Sequence, residues 1–189
     1  RYTCIFLILL VVASVCTMAD ASDAVVRLDS LTLDRNPLLK NIRDDIKRTL
    51  YTVKSRRSES ELPELRFYTY KVKEKENFWI VLAKCSLDMD TLMSVNNLTS
   101  PYQVVPGTLL YIPNMRGVIV SGNDWPSAKR MLVEEKIDIR FVRAVNKSES
   151  LDKEFLFIPC GKVSRIERSL FLGTAFVSPV RNGRKTSEF

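Results

Sequence analysis

Histidine is absent from all 189 residues of the sequence. Hydrolases whose serine or cysteine nucleophile is activated by a neighbouring histidine are therefore excluded. Zinc sites also depend heavily on histidine, and the cysteines here are not spaced as zinc ligands. The absence of histidine therefore favours a binding function over a catalytic one.

Glycine and cysteine are also scarce, with six and four residues respectively. No group of glycines forms the closely spaced loop that binds phosphate in nucleotide-binding proteins, and no cofactor is predicted. Cys4 and Cys16 fall in an apolar N-terminal segment, which leaves Cys85 and Cys160 in the rest of the chain. We expect these two to be semi-buried thiols, with a bridge between them as the alternative.

The charge distribution argues against nucleic acid as a partner. The net charge is +7, but the basic excess is concentrated in segment 160–189, whereas segment 67–113 is neutral. A nucleic-acid-binding protein usually concentrates its basic residues on the recognition module. The acidic pairs Glu134–Glu135 and Asp88/Asp90 fall on predicted helix faces or caps, so we expect them to be solvated charges and not the carboxylate pair of a glycosidase.

The N-terminus has the pattern of a signal peptide. Arg1 precedes an apolar run over residues 5–15, and Ala19-Asp20-Ala21 has the form of a cleavage site. We predict that residues 1–21 direct export to the periplasm or cell envelope. The alternatives are an uncleaved segment that associates with the membrane, or lipidation at Cys16.

An amphipathic helix is predicted within segment 22–66. Asn36 and Pro37 form a typical helix start, and the helix should end near Thr52. Six apolar residues recur at helical spacing, namely Leu38, Leu39, Ile42, Ile46, Leu50 and Val53. We expect this stripe to pack on a neighbouring domain, with binding to a membrane surface as the rarer alternative. A polar linker over residues 55–63 follows.

Segment 67–113 has an α+β pattern in the order strand, helix, helix, strand. Tyr68, Tyr70 and Val72 alternate as on one face of a strand. Asn77 is placed to cap the first helix, and Asp88 or Asp90 the second. The residues predicted to face inward are Phe78, Val81, Leu82, Cys85, Leu92 and Val95. Residues 109–112 form the returning strand, which Pro113 ends.

The same plan is repeated, less clearly, over residues 116–159. A strand over residues 117–120 precedes a helix that starts at Asp124, and a second helix is predicted to end at Asn146. The inward-facing residues are Ala128, Met131, Leu132, Ile139, Val142 and Val145. Leu156-Phe157-Ile158-Pro159 closely matches Leu110-Tyr111-Ile112-Pro113. We interpret this segment as a degenerate second copy, the alternative being a linker subdomain that shares the pattern by chance.

The first of these segments resembles a LysM domain. The resemblance is carried by Tyr70-x-Val72, by Asn96-Asn97-Leu98 and by the ending from Gly107 to Pro113. It implies binding of N-acetylglucosamine glycans such as peptidoglycan or chitin in a shallow groove between two loops. The implied glycan-binding residues are Lys75, Glu76, Asn77, Phe78, Asn97, Leu98, Thr99, Ser100 and Tyr102.

Two features qualify this implied site. The family usually has Gly-Asp where this chain has Lys75-Glu76, so the permissive backbone of glycine is lost at Lys75. The aromatic residues Phe78, Trp79 and Tyr102 have an alternative role as core or rim residues. Glycan affinity therefore depends on how the loop containing Lys75 is built.

The C-terminal part has a second resemblance, to the beginning of a LytM-type (lysostaphin-like) zinc endopeptidase domain. The matching residues are Phe155-to-Gly161, Glu167-to-Gly173, Phe176-x-x-Pro179 and Thr186-Ser187-x-Phe189. The arrangement is similar to spirochaetal cell-wall peptidases that carry LysM upstream. In that family the zinc ligands come later, and none is present here. Segment 160–189 would be an incomplete peptidase domain, with a short helix bearing Ile166, Leu170 and Phe171 on one apolar stripe and poor order beyond Gly173.

We therefore predict a non-catalytic, exported protein that binds peptidoglycan or another N-acetylglucosamine polymer through residues 67–113. One alternative is a LysM-containing zinc endopeptidase cut short before its zinc motifs and inactive as given. Another is an interaction module that regulates a cell-wall hydrolase as its partner.

Overall fold

The computed structural model describes residues 25–145 and 155–174. Its elements in chain order are β1 (Arg27–Leu28), α1 (Pro37–Lys54), β2 (Phe67–Lys71), α2 (Phe78–Cys85), α3 (Met89–Val95), β3 (Leu109–Pro113), β4 (Gly117–Ser121), α4 (Trp125–Glu134), β5 (Arg143–Val145), β6 (Phe155–Pro159) and α5 (Arg165–Phe171). The predicted α+β class is confirmed. The strands form two three-stranded sheets, in the orders β1-β2-β3 and β4-β6-β5.

Several predictions fall outside the described residues. They concern the signal segment 1–21 with Cys16, the helix end at Asn146, and residues 175–189 with the Thr186-Ser187-x-Phe189 motif. Among the residues that are described, no helix combines the length and the apolar character needed to cross a membrane.

The first unit, residues 67–113, has the predicted order of elements. β2 and β3 pair antiparallel from Phe67 opposite Pro113 to Lys71 opposite Leu109. The alternating residues of β2 face the core, where Tyr70 is fully buried. Both helix caps are confirmed: the Asn77 side chain accepts a hydrogen bond from the Ile80 amide at 3.1 Å, and Asp88 accepts one from the Thr91 amide at 3.0 Å.

Helix α1 packs on the first unit. The Asn36 side chain caps it by accepting a hydrogen bond from the Leu38 amide at 3.0 Å. Three residues of its apolar stripe, Leu39, Ile42 and Ile46, are buried in the same core cluster as the residues of β2 and α2. This packing on a neighbouring domain was predicted. It buries apolar residues that binding to a membrane surface would require to be exposed.

Strand β1 was not predicted. Its two residues pair parallel with β2, placing Arg27 opposite Thr69 and Leu28 opposite Tyr70. Two residues are too few to show an alternating pattern, so sequence periodicity gives no signal for this strand. The segment before α1 thus adds a strand to the first sheet.

The second unit, residues 116–159, repeats half of the plan. β4 and β6 pair antiparallel from Gly117 opposite Pro159 to Ser121 opposite Phe155, which is the register of β2 and β3. α4 starts after the predicted cap, since Asp124 accepts a hydrogen bond from the Ser127 amide at 3.3 Å.

The predicted second helix of this unit is wrong. The structure has one 3-10 turn, Ile139–Phe141, and then strand β5 beside β6. A spacing of three residues fits a 3-10 turn followed by a short strand as well as it fits a helix. A strand is favoured over a helix here, because a strand beside β6 satisfies backbone groups of β6 that a helix would leave unpaired.

Helix α3 of the first unit covers the outer edge of the second sheet. The amide of Gly117 in β4 donates to the Thr91 hydroxyl at 2.8 Å, and the amide of Ile119 donates to the Ser94 hydroxyl at 3.3 Å. An exposed edge strand presents unpaired amides that must be satisfied or protected. The two units are therefore joined by side chains that complete a strand edge.

Helix α5 is formed as predicted, but its apolar stripe is not. Ile166 and Leu170 are 73% and 62% exposed, whereas Phe171 is 3% exposed and its ring centroid lies 5.2 Å from that of Phe78. The stripe was predicted from helical spacing alone. In the structure the available partner is the core of the first unit, which takes one aromatic ring.

A charged contact fixes the same helix to α3. The Arg168 guanidinium donates to the Asp90 carboxylate at 2.7 Å, and the Val163 amide donates to the same oxygen at 3.3 Å. Asp90 is buried and not a solvated charge, which corrects our expectation for this residue. Gly173 closes the helix with a left-handed φ of +68°, as its position predicted.

Candidate functional site

The two loops of the implied groove leave the same end of the first sheet. The Val72 amide donates to the Thr108 carbonyl at 2.9 Å, and the Gly107 amide donates to the Val72 carbonyl at 2.8 Å. These bonds extend the β2–β3 pairing to the starts of both loops. Loop 73–77, before α2, and loop 97–108, before β3, are therefore neighbours.

Loop 73–77 keeps the backbone shape that glycine would favour. Lys75 has a φ of +67°, in the left-handed region that disfavours residues with a Cβ. Although glycine is replaced here, Lys75 adopts the same class of backbone conformation. Its side chain is exposed.

Glu76 anchors this loop from inside. Its carboxylate accepts hydrogen bonds from the Lys84 ammonium at 2.7 Å, from the Lys73 amide at 3.1 Å and from the Tyr70 hydroxyl. The Glu76 side chain is 8% exposed. All of these donors belong to the protein, so Glu76 shapes the loop and is not free to bind a ligand.

This network shifts two pKa values. Burial opposes ionisation of Glu76, but the hydrogen bonds from Lys84, Tyr70 and the Lys73 backbone outweigh burial and lower the pKa of Glu76 below its ordinary value. Burial, and then the hydrogen bond to Glu76, raise the pKa of Tyr70. At neutral pH the loop is thus held by a carboxylate, an ammonium and a neutral phenol.

Loop 97–108 is organised by a residue that the sequence analysis missed. The Gln103 side chain accepts hydrogen bonds from the amides of Thr99 at 2.7 Å and Ser100 at 3.3 Å, while Ser100 caps the 3-10 helix Pro101–Gln103. The spacing Ser100-x-x-Gln103 is that of a capping box and was visible in the sequence. The result is a rigid turn from which Tyr102 projects, 86% exposed.

Asn96 has a structural role at the start of this loop. Its side chain accepts a hydrogen bond from the Tyr111 amide at 2.7 Å and donates one to the Tyr111 carbonyl at 3.0 Å. It thereby pairs with the outer edge of β3 as a further strand would. Asn97 follows with a φ of +50° and an exposed side chain.

The structure separates the nine predicted site residues by exposure. Five are exposed at the surface of the two loops and α2, namely Lys75, Asn77, Asn97, Thr99 and Tyr102. Leu98 and Ser100 are half-buried, and Glu76 is used within the protein. Phe78 is 1% exposed, so its ring lies in the core, as its helical spacing predicted, and not on the surface of the groove. Trp79, next to it, is 50% exposed.

The geometry of these loops agrees with the comparison with known families. Residues 70–113 match the LysM domain family. A LysM domain is present in this chain. LysM domains bind peptidoglycan and other N-acetylglucosamine polymers, they are non-catalytic, and they typically occur in extracellular or cell-wall proteins. No curated protein and no solved structure matches the chain.

The described residues contain no group of three or more Cys, Asp or Glu side chains placed to hold a metal ion. Cys85 and Cys160 are both free, as the preferred prediction had it. Burial raises the pKa of Cys85 to about 12 and that of Cys160 to about 11, so both are neutral thiols at physiological pH.

Proposed function

We propose that this chain is a non-catalytic, exported protein that binds peptidoglycan through loops 73–77 and 97–108 of its LysM domain. The observation that supports the proposal is that residues 70–113 match the LysM family and fold with both loops at one end of the sheet. Export is supported by the apolar N-terminal run and the cleavage pattern at Ala19-Asp20-Ala21.

The exposed parts of the two loops are suited to a sugar. Tyr102 offers an aromatic face, and Asn97 offers a side-chain amide for the acetamido group or a hydroxyl. Both side chains extend from backbone turns held by hydrogen bonds within the protein. A rigid site of this kind loses little conformational entropy on binding.

A binding assay with purified, insoluble peptidoglycan tests the proposal. The whole chain should sediment with the polymer at low and at high salt, because contacts to neutral sugars are not screened as those of a basic segment are. Tyr102→Ser should weaken retention about tenfold. Tyr51→Ser is the matched control, since Tyr51 is an exposed tyrosine on α1, away from both loops. Retention that disappears at high salt, or that is equally weakened by both substitutions, would contradict the proposal.

A zinc endopeptidase is the main alternative. Zinc hydrolases of the LytM type depend on histidine ligands, and the 189 residues contain none. We therefore propose that the chain does not cleave peptidoglycan by itself. Zinc-dependent release of soluble fragments from peptidoglycan by the purified chain would show the opposite.

The second alternative is the regulation of a cell-wall hydrolase. It differs from the proposal in one measurable respect, because it needs a hydrolase partner and not the polymer. Binding of the chain to peptidoglycan that has been freed of protein is expected under our proposal and is not expected from a module that recognises a hydrolase alone.

A further inference from the structure

A cleft of about 430 Å³ lies between the LysM domain and the second unit. One wall is formed by the end of α3 and by Asn97 and Leu98. The other walls are β4, α4 and the segment 162–167. A volume of this size is within the range of sites for small organic ligands.

The cleft has an apolar floor and a charged rim. The floor consists of side chains that are buried or half-buried, namely Met93, Leu98, Val118, Val120 and Met131. The charged rim consists of Asp124, Arg130, Glu134, Lys162 and Glu167. Charges of both signs are present, so the cleft does not select for an anion or a cation alone.

Three of the rim charges are used within the protein. Asp124 accepts a hydrogen bond from the Ser127 amide at 3.3 Å, Glu167 accepts one from the Ser164 amide at 2.8 Å, and Arg130 donates to the Ser127 hydroxyl at 3.3 Å. Glu134 and Lys162 have no hydrogen bond or ion pair with any described residue. One carboxylate and one ammonium thus line the cleft without a partner in the part of the chain that the structure describes.

The cleft is continuous with the proposed glycan site. Asn97 and Leu98 line it, and the same two residues begin loop 97–108, from which Tyr102 projects. A ligand that lies along this loop would therefore pass the mouth of the cleft.

We propose that this cleft receives the short peptide carried by a peptidoglycan chain while the sugars lie on the two loops. The inference rests on the proposed function and specifies which N-acetylglucosamine polymer is bound. A polymer of N-acetylglucosamine alone is uncharged and would leave Glu134 and Lys162 unmatched. A peptide brings carboxylates for Lys162, amino groups for Glu134 and methyl groups for the methionine-rich floor.

The test compares two soluble ligands that differ in the peptide alone. The first is a peptidoglycan tetrasaccharide with its peptides, and the second is the same tetrasaccharide after an amidase has removed them. Calorimetric titration of the whole chain should give about tenfold tighter binding of the first. The double variant Glu134→Gln, Lys162→Gln should bind both ligands equally, at the affinity of the peptide-free one.

The matched control is the double variant Lys129→Gln, Glu135→Gln. It removes one charge of each sign from exposed positions of the same helix region that do not line the cleft, so the gain from the peptide should persist. Circular dichroism of each variant is used to check that it is folded.

The outcomes separate the inference from the proposed function. If neither ligand binds to the unmodified chain, the proposed function itself fails. If both bind with the same affinity, or if the Glu134, Lys162 double variant keeps the gain, the inference is overturned while peptidoglycan binding stands. Loss of the gain in the control variant would also overturn it, because the effect would then be one of general surface charge.

Discussion

The two units have the same strand register and different burial. Tyr111 of β3 and Phe157 of β6 occupy equivalent positions, opposite Thr69 and Ile119 respectively. Tyr111 is 40% exposed, whereas Phe157 is fully buried. The nearly identical sequences of residues 110–113 and 156–159 thus lie in different environments.

The difference comes from what covers each strand, since Phe157 lies in a core cluster with residues such as Ala128 and Phe141. β3 is an edge strand with one face towards solvent, whereas β6 is central, between β4 and β5. The Phe157 ring comes so close to β4 that a Cβ at Gly117 would lie 2.7 Å from it and 2.4 Å from the Ile158 carbonyl oxygen. Gly117 occupies the position that Phe67 has in the first unit. The absence of a side chain at Gly117 leaves room for the Phe157 ring.

Side chains from α3 and from the residue directly after it form hydrogen bonds with the edge strands of both sheets. Asn96 pairs with the edge of β3, and Thr91 and Ser94 pair with the edge of β4. These three residues lie within or directly after α3. Side chains of the first unit therefore cover the outer edge of the second sheet.

The largest expected effect tests the difference in burial. Phe157→Ala should lower the free energy of unfolding by about 3–5 kcal/mol, because it leaves a cavity in the core. Tyr111→Ala should lower it by roughly 0.5 kcal/mol, the range of surface substitutions. Urea denaturation of the two variants gives both values. Equal costs would mean that the two strands are buried alike, contrary to the structure.

The next effect concerns the attachment of α5 to the first unit. Arg168→Met should cost about 2 kcal/mol, because it leaves the buried Asp90 carboxylate without its ion partner, while the partial exposure of Arg168 reduces the penalty. Hydrogen exchange of the α5 amides should accelerate as well. Arg165→Met is the control on the same helix, and a comparable loss there would show that the ion pair is not the cause.

A smaller effect, dependent on pH, concerns the network around Glu76. A lowered pKa means that the network stabilises the fold above the ordinary pKa of 4.5 and loses this stabilisation as pH falls through the folded value. Glu76→Gln should therefore cost about 1–2 kcal/mol at pH 7 and progressively less in acid. Urea denaturation at several pH values measures this.

The exposed residue Glu74 provides the control for that experiment. Glu74→Gln should change the free energy of unfolding little at any pH. If the cost of Glu76→Gln is the same at pH 3 and at pH 7, ionisation of Glu76 is not what holds the loop.

The smallest effect concerns the backbone of Lys75. Lys75→Gly should raise the free energy of unfolding by about 0.5 kcal/mol, since glycine relieves the left-handed strain but gains more freedom in the unfolded chain. Lys73→Gly has no such strain to relieve and should lower it by a similar amount. Thermal denaturation distinguishes the two signs, and a loss in both variants would contradict the left-handed conformation of Lys75.

The sequence by itself determined the elements whose signals are local. The caps at Asn36, Asn77, Asp88 and Asp124 depend on a side chain that bonds an amide two or three residues ahead, so they were predicted correctly. The alternation in β2 and the helical stripe of α1 also depend on short-range periodicity. For the candidate site, these signals placed the two loops between helices and strands, whereas the individual site residues came from the resemblance to a LysM domain.

The tertiary structure decided everything that depends on a partner distant in sequence. Strand β5 formed where a helix was predicted, because the free edge of β6 was available beside it. The inward face of Phe78 was predicted from helical spacing, but its contact with Phe171, far along the chain, was not. The Glu76 carboxylate accepts hydrogen bonds from Tyr70 and Lys84, and the Asp90 carboxylate accepts one from Arg168. Periodicity cannot reveal such contacts, since burial and pairing are properties of the folded chain.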